Sequence, residues 1–171
     1  GAGVYVENAP ENVIGGETAD RRNIISGNLG CGVVIFGADA PKNKVQGNYI
    51  GTNRDGTGND IGNSADGVLI HRAMETLIGG TAAKLGDAPG NIISGNWQAG
   101  VHIKGFGALD NRIQGNVIGR DKSEAALGNA THGVYIELAP QTTIGETSTT
   151  YAPAPSTGHS NVISANLGDG I

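Results

Sequence analysis

Hydrophobic residues in this chain fall in short alternating runs rather than at helical intervals. Five segments read Gly-Val-x-[Val/Ile]: GVYV from Gly3, GVVI from Gly32, GVLI from Gly67, GVHI from Gly100 and GVYI from Gly133, with Gly170-Ile171 opening a sixth. In each, the second and fourth residues share one face and the third takes the other, which is the signature of a strand. A second apolar anchor follows at Ile14, Val45, Ile78, Ile113 and Ile144. It lies ten residues after the first Val in odd units and twelve in even ones. Odd units continue into Asn-[Ile/Val]-Ile-Ser at Asn23, Asn91 and Asn161, whereas even units read [Val/Ile]-Gln-Gly-Asn-[Tyr/Val]-Ile-Gly from Val45 and Ile113. The sequence therefore repeats in pairs of units, which is why GNLGCGVVI at Gly27 returns as GNWQAGVHI at Gly95.

Strands that recur about every 33 residues with no helix between them cannot make a doubly wound sheet, but they can wind as a solenoid. Like segments must stack on like, so the pairing is parallel, and parallel crossovers run right-handed. The expected fold is all-β: a right-handed parallel β-helix of about five rungs with three short strands per rung. Rungs start near residues 3, 32, 67, 100 and 133, and residues 1–171 form a single domain. At about 4.8 Å per rung the stack is roughly 24 Å tall. Because the chain opens inside a repeat, it is expected to be a segment of a longer solenoid.

A column of asparagines supports this stacking. Asn28, Asn63, Asn96, Asn129 and Asn166 each follow a Gly or Ala and precede a Gly-Val strand. Stacked amides can bond to the amide above and below, as in cross-β ladders, and Asn tolerates the left-handed backbone of a corner. Unit-to-unit variation falls in loops, which on a solenoid often mark the working face. Odd units carry ETADRR, TAAKLGDAPG and TSTTYAPAPSTGHS; even units carry TNRDGTGND and RDKSEAA.

Composition narrows the function classes. Gly takes 30 positions while charged residues make up 16%, so this is a folded chain with little bulk in its core rather than a disordered one. A formal charge of −5 argues against nucleic acid or an anionic membrane as partner, because both need a basic footprint. No run of 18 apolar residues exists, so membrane insertion is not expected. The single cysteine, Cys31, is expected to be a small residue in a turn.

GNYIGTNRDGTGNDIGNSADGVLI and NIISGN resemble the parallel β-helix repeats of large bacterial secreted and cell-surface proteins, which string together Gly-Asn-x-Ile-Gly-Thr and Asn-[Val/Ile]-Ile-Ser-Gly-Asn units. The likeness spans nearly the whole chain and points to the pectate-lyase-like superfold. The second even unit, GNVIGRDKSEAALGN, departs from the pattern. Proteins of this architecture include pectin and alginate lyases, glycosidases and epimerases, and also adhesins and stalks, so the resemblance implies an extracellular or cell-surface location without fixing an activity.

The outward columns of the Gly-Val strands show what chemistry is on offer. One reads Tyr5, Val34, Leu69, His102, Tyr135; the next reads Glu7, Phe36, His71, Lys104, Glu137. Glycosidases need two carboxylates about 5–10 Å apart. Glu7 and Glu137 lie four rungs apart, roughly 19 Å by the rung spacing. Lys104 and Glu137, on adjacent rungs, are expected to form an exposed ion pair. His71 beside Lys104 offers an acid–base couple for β-elimination, and His102 over Tyr135 offers a sugar-stacking patch. The loop from Asn53 to Asp60 is rich in oxygen ligands of the kind calcium takes, yet it lacks the EF-hand spacing and reads as a turn. Asn129-Ala130-Thr131 matches a glycosylation sequon.

The expectation is a structural or adhesive segment, with no catalytic, cofactor-binding or metal-binding residues and with self-association end to end. The alternative is a polysaccharide-processing module (lyase, glycosidase or epimerase-like) or a carbohydrate-binding one, whose partner would be a polysaccharide or cell-surface glycan.

Overall fold

The computed structural model describes residues 1–58, 61–145 and 160–171. Fifteen short strands run in chain order: β1 (Val4–Glu7), β2 (Val13–Gly15), β3 (Ile24–Ile25), β4 (Val33–Phe36), β5 (Lys44–Gln46), β6 (Tyr49–Ile50), β7 (Val68–His71), β8 (Leu77–Gly79), β9 (Ile92–Ile93), β10 (Val101–Lys104), β11 (Arg112–Gln114), β12 (Val117–Ile118), β13 (Val134–Glu137), β14 (Thr143–Ile144) and β15 (Val162–Ile163). Every third strand joins the same sheet. The first sheet is β1-β4-β7-β10-β13, the second β2-β5-β8-β11-β14 and the third β3-β6-β9-β12-β15. All strand pairs are parallel. The chain is a parallel β-solenoid with three strands in each of five rungs. A single 3₁₀ turn, Ala19–Arg21, is the one helical element among the described residues.

The register places like on like. Val4, Val33, Val68, Val101 and Val134 form one continuous column, and Val6, Ile35, Ile70, Ile103 and Ile136 form the next. Val45, Ile78 and Ile113 face them from the second sheet and Ile50, Ile93 and Ile118 from the third, all fully buried. Burying a Val or Ile side chain stabilises by about 1.5–3 kcal/mol, so this narrow aliphatic column is the main apolar driving force of the fold.

Three asparagine columns, not one, lock the corners. The expected ladder is present: the amide nitrogens of Asn28, Asn63, Asn96 and Asn129 each donate to Oδ1 of the next Asn, at 2.8–2.9 Å, ending on Asn166. A second ladder runs Asn23, Asn48, Asn91, Asn116, Asn161 between the second and third sheets, at 2.9–3.2 Å. A third starts with Asn12 donating to Asn43 at 3.0 Å between the first and second sheets. Asn129 is fully buried in its ladder, so the sequon it heads offers no accessible amide.

The odd–even alternation also has a physical cause. In even rungs, Gln46 and Gln114 donate to the carbonyls of Gly79 and Gly145 on the rung above, which holds the Gln-Gly-Asn corner tight. Odd rungs carry a loop at that corner and turn tightly after the third strand instead. Gly79 bends the chain with φ +86°, and a Cβ there would run into the Gln114 carbonyl. Insertions therefore leave from one edge of the third sheet in odd rungs and from the other edge in even rungs.

Candidate functional site

The sequence-derived columns lie where expected on the first sheet. Tyr5, Val34, Leu69, His102 and Tyr135 align rung by rung, as do Glu7, Phe36, His71, Lys104 and Glu137. Glu7 and Glu137 stand on the two edge strands of a five-stranded sheet, so they form no carboxylate pair.

The expected Lys104–Glu137 ion pair is not made. Glu137 leans instead toward His102, with Oε2 3.7 Å from Nε2. The other imidazole nitrogen, Nδ1, sits 3.2 Å from Oδ2 of Asp66. Asp66 is 5% exposed, and its second oxygen accepts the Ala99 amide at 3.0 Å, which fixes the carboxylate from behind. A half-buried thiol, Cys31, lies near Asp66; burial first, then the carboxylate charge, pushes its pKa up. His102 Nε2 is shielded from solvent and has no hydrogen-bond partner among the described residues, since 3.7 Å is too long for one. Tyr135 lies 4.7 Å from the His102 ring and 5.0 Å from that of His132, which stacks on it nearly parallel. The expected sugar-stacking patch is thus a Tyr already packed against two imidazoles.

His71 makes an edge contact with Phe36, 5.1 Å between centroids. Burial, then the positive charges of Lys104 and Arg72, lowers its pKa. His71, Lys104 and Glu137 line one open groove of about 590 Å³ with Phe106 and Leu138.

The third sheet holds what the sequence reading missed. Tyr49, Ile92, Val117 and Val162 align on its outer face, where a solvated strand would carry polar residues. Tyr49 and Ile92 are only 2% exposed because the loops fold over them. The Arg22 guanidinium sits 4.0 Å from the Tyr49 ring centroid, and its Nε donates to the Gly47 carbonyl at 3.0 Å. From the even-rung loop, Lys122 reaches across to Asp87 of the odd-rung loop at 3.1 Å. Burial works against the Lys122 charge, but Asp87 and Tyr49 outweigh it and raise the ammonium pKa. Beside this clasp is a cleft of about 370 Å³ floored by Ile92, Val117 and Val162. Its Arg120 is committed to Ser164 Oγ and the Glu124 carbonyl, both at 2.6 Å. The signal for this face was legible: doublets such as Ile92-Ile93 put apolar residues on both sides of a strand, which marks a sheet covered on both faces.

In the candidate calcium loop, Asn53 Oδ1 accepts the amides of Asp55 and Thr57, so this oxygen serves the turn itself. Asn59 and Asp60 lie outside the described residues, as does nearly all of the long loop from Thr147 to Ser160. Among the described residues no three His, Cys, Asp or Glu side chains are grouped to hold a metal ion. No protein-family model matches the chain, and no curated protein or solved structure matches it either.

Proposed function

We propose that this chain is a structural and adhesive segment of an extracellular β-solenoid, without catalysis of its own. The observation that carries the reading is the closure of Asp66, His102 and Glu137. These residues have the strongest claim to acid–base chemistry, yet the imidazole fills the space between the carboxylates that a glycosidase leaves for sugar and water. The Nε2 that would have to meet a substrate proton is itself buried, with the Glu137 carboxylate 3.7 Å away. What recurs through the described rungs is the apolar column and the asparagine corners, which serve length and rigidity.

The alternative, a polysaccharide-processing module, draws on the open groove that His71, Lys104 and Glu137 share. Mass spectrometry of pectins, alginates and neutral glycans after incubation with the protein, with and without calcium, separates the two. Unchanged polymers, together with retention of the protein on glycan-coated beads, are expected. Shortened or unsaturated oligosaccharides would overturn the non-catalytic reading and transfer the chemistry to that groove.

A further inference from the structure

The residue after each corner asparagine is stacked one rung above its counterpart. The amides of Ser64, Trp97, Ala130 and Leu167 donate to the carbonyls of Asn28, Asn63, Asn96 and Asn129, at 2.8–3.1 Å. With Leu29 this makes an outer column of alternating size: Leu29, Ser64, Trp97, Ala130, Leu167. The large members stand in solvent, at 86%, 64% and 79% exposure for Leu29, Trp97 and Leu167. They recur every second rung, or about 10 Å. Between Trp97 and Leu167 lies a groove of about 400 Å³, and every described residue that lines it is uncharged, including Gly51, Gly95, Leu127 and Gly128. The cleft on the third sheet and the groove at His71 both carry charged side chains. The Trp97 indole meets no other aromatic ring among the described residues, unlike Tyr135.

We propose that the Trp97 groove binds a neutral, extended glycan running along the solenoid axis. A sugar presents an apolar C–H face that stacks on an aromatic ring, and its hydroxyls need polar partners close by. The indole supplies the first, and a floor of glycines lets the sugar approach main-chain groups for the second. Charge selects against acidic polymers: the described lining offers no cation to a uronate, and the whole chain carries −5. The period fits as well, since two rungs are close to the length of one disaccharide in an extended β-1,4-linked chain. Leu29, Trp97 and Leu167 are then successive apolar stations for alternate sugars. This inference rests on the adhesive reading above and names its ligand class.

Trp97 is the only tryptophan in the chain, so its own emission reports on the groove. The test titrates the protein with neutral β-1,4-linked hexasaccharides of glucose, mannose and N-acetylglucosamine, and with oligogalacturonate of equal length. A saturable emission change with a neutral hexasaccharide and none with the uronate is expected. Calorimetry on Trp97→Ala should show at least a tenfold weaker affinity, with Trp97→Phe in between. No change with any neutral sugar, or equal response to the uronate, would overturn the proposal. So would an emission shift driven by protein concentration alone, which would make the column a contact between copies of this chain. If Trp97→Ala stays on glycan-coated beads as well as the unaltered protein, the groove is wrong and the adhesive reading survives. If the unaltered protein is not retained on any glycan, the adhesive reading falls as well.

Discussion

Thr76 occupies the corner position held by asparagine on either side of it, and its amide donates to Asn111 Oδ1 at 2.8 Å. Its hydroxyl is buried and has no partner among the described residues. The ladder that begins Asn12–Asn43 therefore skips a rung. An asparagine at 76 would present to the Asn43 rung the amide oxygen that Asn111 presents to Thr76. Thr76→Asn is expected to stabilise the chain by about 1 kcal/mol. In a chain of this size that raises the melting temperature by roughly 2–4 °C. An unchanged or lower melting temperature would show that the gap is already satisfied by other means.

Removing a rung from an intact ladder should do the opposite on a larger scale. Asn91 is fully buried; it donates to Asn116 Oδ1 and the Val45 carbonyl and accepts from Asn48. Asn91→Ala leaves several buried groups without partners at once, each costing about 1–3 kcal/mol. A loss of about 3 kcal/mol or more in urea-induced unfolding is expected. Asn12→Ala, at an exposed end of its column, should cost less than half as much, and equal losses would rule out burial as the source of the effect.

Much of this architecture was legible before any coordinates, because a solenoid writes each column into the sequence at a fixed offset. The pairings Tyr5–Val34 and Lys104–Glu137 follow directly from aligning the Gly-Val units. What alignment cannot supply is the direction in which a side chain leans once neighbours from a different column compete for it. Glu137 turned from Lys104 to His102, because Asp66 holds the imidazole from the corner before the strand. Asp66 stands at a position where other rungs carry Ala2, Cys31, Ala99, His132 or Asp169, so the residue type varies too much from rung to rung for the repeat to mark its role. The covered face of the third sheet is hard to read for a related reason: two-residue strands are too short to show alternation, and only the apolar doublets reveal that Tyr49 and Ile92 are covered.

His71 gives the fold a specific acid sensitivity. Burial, followed by the charges of Lys104 and Arg72, lowers its pKa below the ordinary 6.5. Below pH 6.5 the unfolded chain takes up a proton that the folded chain resists, so His71's contribution is complete above that pH and is lost as pH falls toward the folded pKa. Urea midpoints at pH 7.5 and pH 5 should therefore differ more for the unaltered protein than for His71→Gln. Identical pH dependence in the two would mean that the imidazole is free to protonate in place.

Cys31 should be a sluggish nucleophile. Burial and then the nearby Asp66 charge raise its pKa, which leaves little thiolate near neutrality. A disulfide reagent at pH 8 is expected to label it more slowly than it labels a free cysteine, with the difference disappearing in urea. Asp66→Asn removes the second of the two causes and should speed labelling modestly. If the folded protein labels as fast as the unfolded one, the thiol is neither buried nor repelled as described.

The repetition that builds the solenoid makes end-to-end association of copies a testable expectation. Among the described residues β1, β2 and β3 each pair on one side only, as do β14 and β15, while β13 is covered at its start, where the Val134 amide donates to the Gly170 carbonyl at 2.9 Å. Core residues at these ends are less covered than those between them: Ile14 and Ile25 retain 8% and 6% exposure, against none for Ile78 and Ile93. Because the strands of the first sheet keep one register from rung to rung, the backbone edge of β1 can accept a parallel strand from another copy, and such a contact can extend without closing. Light scattering over a wide concentration range is expected to show mass growing with concentration. Val6→Lys puts a charge on the partly buried core column of the first rung and should return the protein to monomers while leaving its circular dichroism unchanged. A constant monomer mass for the unaltered chain would show that these edges are protected and do not associate.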